Sequence, residues 1–313
     1  MGRTLAPCLV LLSALALGAS PGRKPDMDAS TLLWFDSPAT KWDEALPVGN
    51  GRLGAMVFGT VAEERIQLNE DTYWSGGPYS TVVRGGSKAL PEIQRLVFQE
   101  KYFEAHDLFG RKLMGYPVEQ QKYQSLANLH LFQAGHSSHS NYRRDLDLRK
   151  GIATVSYTVG DVEFRREVLA SAPDQAILVR LTASRPGSIS LRVNLRGVRN
   201  QAHSNYGTDY FQMDPVGTDG LSVSGKSADY LGIKGRLRYE GRLKAFAEGG
   251  TVRTEGVDLV IDGANAVTLV FVAATNFVNY RTVRGNPRTR VEQALSRLAG
   301  KPYETLRSAA VED

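Results

Sequence analysis

From Ile152 to Thr158 apolar and polar side chains alternate with the period of two expected of a half-buried strand. Gly160-Asp161 then supplies a two-residue turn, and Val162, Phe164 and Val168 resume the period with Glu163, Arg165 and Glu167 opposite. This is a hairpin signal. Ile177, Val179 and Leu181 alternate with Leu178, Arg180 and Thr182, and Ser184-Arg185-Pro186-Gly187 leads into Ile189, Leu191, Val193 and Leu195, a second predicted hairpin. Val257, Leu259, Ile261 and then Val267, Leu269, Phe271 repeat the pattern around Asp262-Gly263-Ala264-Asn265. Short strands punctuated by turns predict a mainly β chain, built as an antiparallel sandwich with one wet face per sheet.

Two stretches change period. Between Ser87 and Met114, Leu90, Ile93, Val97, Phe103, Leu108 and Leu113 follow helical spacing. They predict a helical insertion over about 87–114 packed on the sandwich, with Ser87 and Pro91 as start signals and Gly110 and Gly115 as stops. From Thr289 onward, Val291, Leu295, Leu298, Tyr303, Leu306 and Ala310 again run at helical spacing, and the pattern is still running at Asp313.

Composition narrows the class. The 313 residues are 42% hydrophobic and 23% charged, which excludes a polytopic membrane protein, a disordered tail and a fibrous rod. The net charge of +5 is a near-cancellation of 38 basic and 33 acidic residues. Basic residues gather at Arg143, Arg144, Arg149 and Lys150, and at Lys234, Arg236, Arg238, Arg242 and Lys244. Apolar residues interleave with them at strand spacing, so they predict solvent-facing rows and not a nucleic-acid surface. Residues 1–20 combine Arg3, an apolar run from Leu5 to Leu17 and the small residues Gly18, Ala19 and Ser20, the pattern of a signal peptide. An exported chain without membrane attachment after cleavage is the expectation. The one cysteine, Cys8, would leave with the leader, so no thiol chemistry is expected of the mature chain.

Candidate chemistry is sparse. Gly49, Gly51 and Gly54 have dinucleotide-loop spacing, but Pro47 precedes them and strand-like Ala55-Met56-Val57-Phe58 follows. A tight turn between strands is the expectation. His130, His136 and His139 read as polar loop residues and not as a metal site, and Ser204 lacks a nucleophile elbow. Glu70 and Asp71 are adjacent, so on a strand they face opposite ways and make poor acid–base partners; one is expected to cap a turn and the other to be solvated or to face a neighbouring domain. Glu44 could converge with Glu70. The three tryptophans, Trp34, Trp42 and Trp74, read as packing residues more than as sugar platforms.

One series of motifs goes further. Trp42-x-Glu44-Ala-Leu-Pro-Val-Gly-Asn50-Gly-Arg52-Leu-Gly-Ala-Met-Val-Phe-Gly is followed by Leu68-Asn-Glu-Asp-Thr-Tyr-Trp-Ser-Gly76. Tyr142-Arg-Arg-Asp-Leu-Asp-Leu148, Phe164-Arg-Arg-Glu167, Ser171-Ala-Pro-Asp-Gln175 and Ala273-Ala-Thr-Asn-Phe277 come later in order. The series resembles the opening of glycoside hydrolase family 95, best known for exo-acting α-L-fucosidases; Ala127-Asn128 departs from the Gly-Asp common there.

The resemblance implies an antiparallel β-supersandwich over 21–284 and the start of a helical linker over 285–313, with the chain stopping before an (α/α)6 barrel. Family acid and base residues lie in that barrel, and no position of this chain matches them. It therefore implies no catalytic residue, metal or cofactor in this chain. Trp42, Glu44, Asn50, Arg52, Asn69, Glu70 and Trp74 are the candidates to face substrate or barrel. The implied activity of the full-length enzyme is release of terminal fucose from fucosylated glycans with inversion. A stand-alone glycan-binding sandwich without catalysis and an α-L-galactosidase-type relative are the alternatives.

Overall fold

The computed structural model describes residues 29–198 and 211–313. The predicted leader over 1–20, with Cys8, and the segment holding Ser204 lie outside them. Sixteen strands are formed among the described residues. In chain order they are β1 (Leu32–Phe35), β2 (Leu46–Gly49), β3 (Leu53–Val57), β4 (Glu63–Glu70), β5 (Ala127–Phe132), β6 (Ser140–Asp147), β7 (Ile152–Val159) and β8 (Val162–Ser171). Then come β9 (Ala176–Ala183), β10 (Ile189–Gly197), β11 (Phe211–Val216), β12 (Gly220–Lys226), β13 (Arg238–Glu248), β14 (Thr251–Glu255), β15 (Asp258–Ala264) and β16 (Ala266–Thr275). They form a nine-stranded sheet, β1-β6-β7-β8-β9-β16-β13-β12-β11, and a seven-stranded sheet, β14-β15-β10-β5-β4-β3-β2. The fold is the expected mainly β, antiparallel sandwich, and a single apolar core fills the space between the sheets.

β7 and β8 pair as the predicted hairpin, closing at Val159 and Val162. The second predicted hairpin is not one. β9 lies in the large sheet beside β16, whereas β10 lies in the small sheet beside β15. The turn at 184–187 therefore carries the chain across the core, and the β15–β16 connection crosses next to it. Asn265 accepts the Gly187 N–H at 2.8 Å and Ser190 Oγ accepts the Gly263 N–H at 3.0 Å, tying the two crossings together. Both strands flanking each crossing present an apolar row to the same core.

The expectation of a wet outer face also fails for the centre of the large sheet, where β16 is buried at every position. Helices α3 (Pro287–Leu298) and α4 (Tyr303–Glu312) are the cause. Their Val291, Ala294, Leu298, Tyr303 and Leu306 cover Ile152, Leu169, Leu178 and Val270 from outside. Burying each such aliphatic side chain is worth roughly 1.5–3 kcal/mol, so the pair of helices is an integral second layer. Asn286 starts α3 by accepting the Thr289 N–H, with Pro287 in the first turn.

The insertion is a helical hairpin, α1 (Leu90–Phe98) and α2 (Tyr102–Lys112), entered through a short 3-10 turn at Gly86–Ala89. Gly110 sits inside α2 and stops nothing, since one glycine costs a helix only about 1 kcal/mol. The buried Ile93, Leu96 and Ala105 form a cluster of their own, so the hairpin's core is separate from the sandwich core it was expected to pack on. Among the described residues no helix is long and apolar enough to cross a membrane.

Two of the basic residues expected on solvent-facing rows are covered, one buried and one half-buried. Arg144 is buried, donating to the Ser37 and Glu44 carbonyls at 2.7 Å each with its guanidinium over Phe35. Arg242 lies beside α3, paired with Glu240 at 2.7 Å and Glu292 at 3.1 Å. Deeper still, Arg166 of β8 and Glu64 of β4 form an ion pair between the sheets.

Candidate functional site

Gly49, Asn50, Gly51 and Arg52 make the turn of the β2–β3 hairpin, with Gly51 in the left-handed region at φ 83°. Asn50 shapes it. Its Oδ1 accepts the N–H groups of Arg52 at 3.1 Å and Leu53 at 2.7 Å, while its Nδ2 donates to the Ser171 carbonyl of the other sheet at 2.8 Å. The turn thereby aims Arg52 along the seam between the sheets.

The Arg52 guanidinium donates to Gln175 Oε1 at 2.6 Å and to the Ala273 carbonyl at 2.7 Å, and its Nη1 stands 3.4 Å from Glu70 Oε1. Glu70 closes β4 and is buried. Its Oε2 accepts both the N–H of Thr72 at 2.9 Å and the Thr72 hydroxyl at 2.7 Å. Burial pushes the Glu70 carboxyl up, against the Thr72 hydrogen bonds and the Arg52 charge, which lower it. Thr72 also meets the Thr275 hydroxyl at the end of β16. From α3, Arg290 donates to the carbonyls of Thr275 at 2.7 Å and Phe277 at 2.6 Å. These groups surround a cavity of about 360 Å³, which Arg297 also lines.

A second cavity of about 530 Å³ adjoins it through Asp71, Thr72 and Phe277. Its walls are aromatic, carrying Trp74, Tyr79, Phe277 and Tyr280 with Asn279 between them. Trp74 is fixed by its Nε1 donating to the Asp71 carbonyl at 2.9 Å and by an edge contact to Tyr123 at 5.3 Å. Tyr123 in turn donates to the Glu70 carbonyl at 3.1 Å, so both cavities share one framework.

The structure thus brings Asn50, Arg52 and Glu70 together and sets Trp74 beside them. Asn69 projects from the other face of β4, as strand alternation requires. Trp42 and Glu44 lie elsewhere. Leu46 pairs with Val57 and Leu53 with Glu70, so Glu44 precedes one end of the β2–β3 hairpin and Glu70 lies at the other. Four residue steps of β3, about 13 Å, part the two ends, and the considered convergence of Glu44 with Glu70 does not occur. The Glu44 carboxylate instead accepts the Thr40 N–H at 2.8 Å and the Lys41 N–H at 3.2 Å, which hold it below the usual carboxylate range, the Thr40 N–H first. Trp34 and Trp42 are both 57% exposed and are not core packing.

Gln175, Thr275 and Arg290 belong to the cleft without having been singled out in the sequence. Gln175 carried one signal, in that Ser171-Ala172-Pro173-Asp174-Gln175 is a turn that places it at φ 53°. The three histidines do not converge: His139 Nδ1 lies 3.2 Å from the His136 carbonyl, while His130 stands apart on β5. His130 stacks on Phe132, and His136 is buried, with Nδ1 3.0 Å from the Tyr157 hydroxyl, instead of lying solvated in its loop. Among the described residues no group of three or more His, Cys, Asp or Glu side chains could hold a metal ion.

Chemically, the cleft offers one engaged carboxylate, three guanidinium groups and an aromatic wall. Inverting glycosidic cleavage needs two carboxyl groups about 6.5–9.5 Å apart across the bond. Glu70 has both oxygens committed, and Asp71 is exposed at the cavity edge with its N–H tied to the Arg52 carbonyl at 2.9 Å. Among the cleft's described residues, Glu70 and Asp71 are neighbours in sequence and are not set across a shared space as such a pair would be.

The family model described as "Glycosyl hydrolase family 65, N-terminal domain" matches residues 33–280. "Alpha-L-fucosidase 2" of Arabidopsis thaliana is 33% identical over 300 residues, covering 86% of this chain and 35% of the relative. "Probable alpha-fucosidase A" of Aspergillus niger is 30% identical over 309 residues, covering 91% of this chain and 36% of the relative. Its namesake from Aspergillus oryzae is 35% identical over 158 residues, 49% of this chain and 22% of that one. The chain spans about a third of the length of the first two.

Proposed function

This chain belongs to the family of glycosyl hydrolase family 65 N-terminal domains, as the N-terminal region of a fucosidase-like glycoside hydrolase, and from that membership we propose that it is the non-catalytic platform of an exported, exo-acting α-L-fucosidase. The observation that carries the reading is the state of Glu70. A buried carboxylate bonded twice to Thr72 and facing Arg52 is a positioning group with no opposed partner for glycosidic cleavage. In the full-length enzyme the Arg52 cleft faces a helical barrel that supplies the acid and the base for releasing terminal fucose. The leader-like residues 1–20 support export. The test compares purified chain with a longer form carrying the remaining length of its relatives, on an aryl α-L-fucoside. The longer form is expected to turn over and the 313-residue chain to be inert. Turnover by the pure chain, abolished by Glu70→Gln, would refute the reading.

One observation favours a second reading, a stand-alone glycan-binding sandwich. The aromatic cavity beside the cleft presents Trp74, Tyr79 and Tyr280, side chains suited to the apolar faces of sugar rings. Calorimetry of the chain and of Trp74→Ala with a fucosylated oligosaccharide separates the two, since a platform alone gives no saturable heat that depends on Trp74.

A further inference from the structure

The outer face of the large sheet is covered by α3 and α4 over only part of its length. Beyond that cover, strands β6 to β9 form an open trough of about 640 Å³, at the opposite end of β9 from Gln175 and the Arg52 cleft. Its outward side chains include Arg143, Ser156, Thr158, Glu163, Arg165 and Thr182. We propose that this trough is a binding site for a neutral oligosaccharide, with Trp34 as the ring-stacking wall at its border.

Four observations carry the assignment. The first is unspent hydrogen-bonding capacity: the Ser156 and Thr182 hydroxyls and the Glu163 carboxylate engage no partner among the described residues, although they face a shared concavity. The second is charge. Arg143 is paired with Asp145 at 3.3 Å and Arg165 with Glu167 at 2.9 Å, so the surface is close to neutral and does not select an anion. The planar guanidinium groups nonetheless keep N–H groups free for hydroxyl acceptors. The third is an irregularity in the backbone. The register of β6 shifts between Ser140 and Arg143, and Asn141 stands in the left-handed region at φ 52°. Such bulges re-aim side chains and are held where the surroundings compensate their cost. Here the bulge turns Asn141 into the trough, its Nδ2 3.3 Å from Thr158 Oγ1. The fourth is Trp34, 57% exposed on edge strand β1, its ring 5.1 Å from the Arg143 guanidinium on the same face.

The alternatives fit less well. Strands β6 to β9 are all paired in mid-sheet, so no free edge invites an extended peptide. Apart from Trp34 the outward side chains are polar, which a lipid surface would not match. Four strands at about 4.8 Å spacing give ~14 Å of trough, the reach of a short oligosaccharide. Neither catalysis nor the Arg52 cleft enters this assignment, so it stands or falls apart from the fucosidase reading.

The test is a glycan array carrying neutral, sialylated and sulfated oligosaccharides, probed with the 313-residue chain, followed by titration of the best neutral ligand. Saturable binding to neutral glycans is expected, falling at least tenfold in Trp34→Ala or Glu163→Gln while the far-UV spectrum and melting temperature stay unchanged. If Trp34→Ala unfolds the edge, Glu163→Gln alone decides. No neutral glycan bound, a preference for the charged glycans, or a loss under tenfold in every folded variant would overturn the proposal.

Discussion

Arg166 and Glu64 form an ion pair sealed between the two sheets, their side chains 1% and 0% exposed. Each sheet contributes one member, and neutral groups engage the pair further, although Arg166 Nε is left without a partner. The Gly59 N–H donates to Glu64 at 3.0 Å, while Arg166 donates to Gln133 at 3.0 Å and to the Thr60 carbonyl at 3.2 Å. Removing one member strands the other charge in the core, a loss of about 3–5 kcal/mol, whereas replacing both with apolar residues of similar volume is often neutral. Urea denaturation should therefore find Arg166→Met destabilised by about that amount, and Arg166→Met with Glu64→Leu restored most of the way. A single variant within about 1 kcal/mol of the parent would contradict the assignment.

Arg52 makes the same kind of link at the candidate site. Its loss removes a donor from the Ala273 carbonyl and from Gln175 Oε1 and leaves the Glu70 carboxylate only its Thr72 partners. Arg52→Ala should cost about 2–3 kcal/mol, as for hydrogen bonds to a charged group, and Arg52→Lys should not recover it because an ammonium cannot span these acceptors. The pH dependence has a defined sign. Burial already raises the Glu70 carboxyl above its ordinary 4.5, so its contribution is fully present below that value and is lost as pH rises through the folded value. Removing Arg52 raises Glu70 further. The deficit of Arg52→Ala measured by denaturation should therefore be larger at neutral pH than near pH 4.

Gly59 separates strain from crowding. It lies at φ 80°, and a Cβ there would come within 2.6 Å of the Tyr142 hydroxyl and 2.9 Å of Arg144 Cδ. Gly151 has a similar φ of 62° but open space around it. Conformation alone costs about 1–3 kcal/mol at either position. Thermal melting should rank Gly59→Ala well below Gly151→Ala; equal melting temperatures would show that the Tyr142–Gly59 contact yields freely.

The β7–β8 hairpin was legible because turn, alternation and partner are all local. The β9–β10 and β15–β16 connections were not. A Pro-Gly or Asp-Gly turn specifies that the chain reverses, but not whether the next strand joins the same sheet or the facing one. The covering of β16 did leave a trace, since an unbroken apolar run such as Leu269 to Ala274 marks a strand buried on both faces. Arg166 left one too, a charged residue in register with Phe164 and Val168 on the inward row. At the site, Asn50 and Arg52 stood out because the turn is local. Gln175, Thr275 and Arg290 did not, because their roles arise from sheet-to-sheet and helix-to-sheet contact over more than 100 residues for Gln175 and Arg52.

The docking of α4 should respond to acid. Glu167 of β8 accepts from the Tyr303 hydroxyl at 3.0 Å and from Arg165 at 2.9 Å, and stands 3.7 Å from Arg307. Burial pushes its carboxyl up, but these partners outweigh it and hold the group below the ordinary 4.5. A lowered carboxyl contributes stability above its unfolded value, and that stability is lost as pH falls through the folded value. Two of the three partners belong to α4. Lys301, just ahead of that helix, pairs with buried Asp174 at 2.6 Å, and the Arg180 guanidinium lies 5.2 Å from the Tyr303 ring. Acidification below about pH 4 should therefore loosen α4 before the sandwich beneath it. Hydrogen exchange corrected for intrinsic rates should show protection across Tyr303–Glu312 falling by a larger factor than that of β8. Glu167→Gln should reproduce part of that loss at neutral pH and flatten its acid dependence. Protection of α4 that is indifferent both to pH and to Glu167→Gln would mean that the apolar layer of Val291, Leu298 and Leu306 holds the helices without electrostatic help.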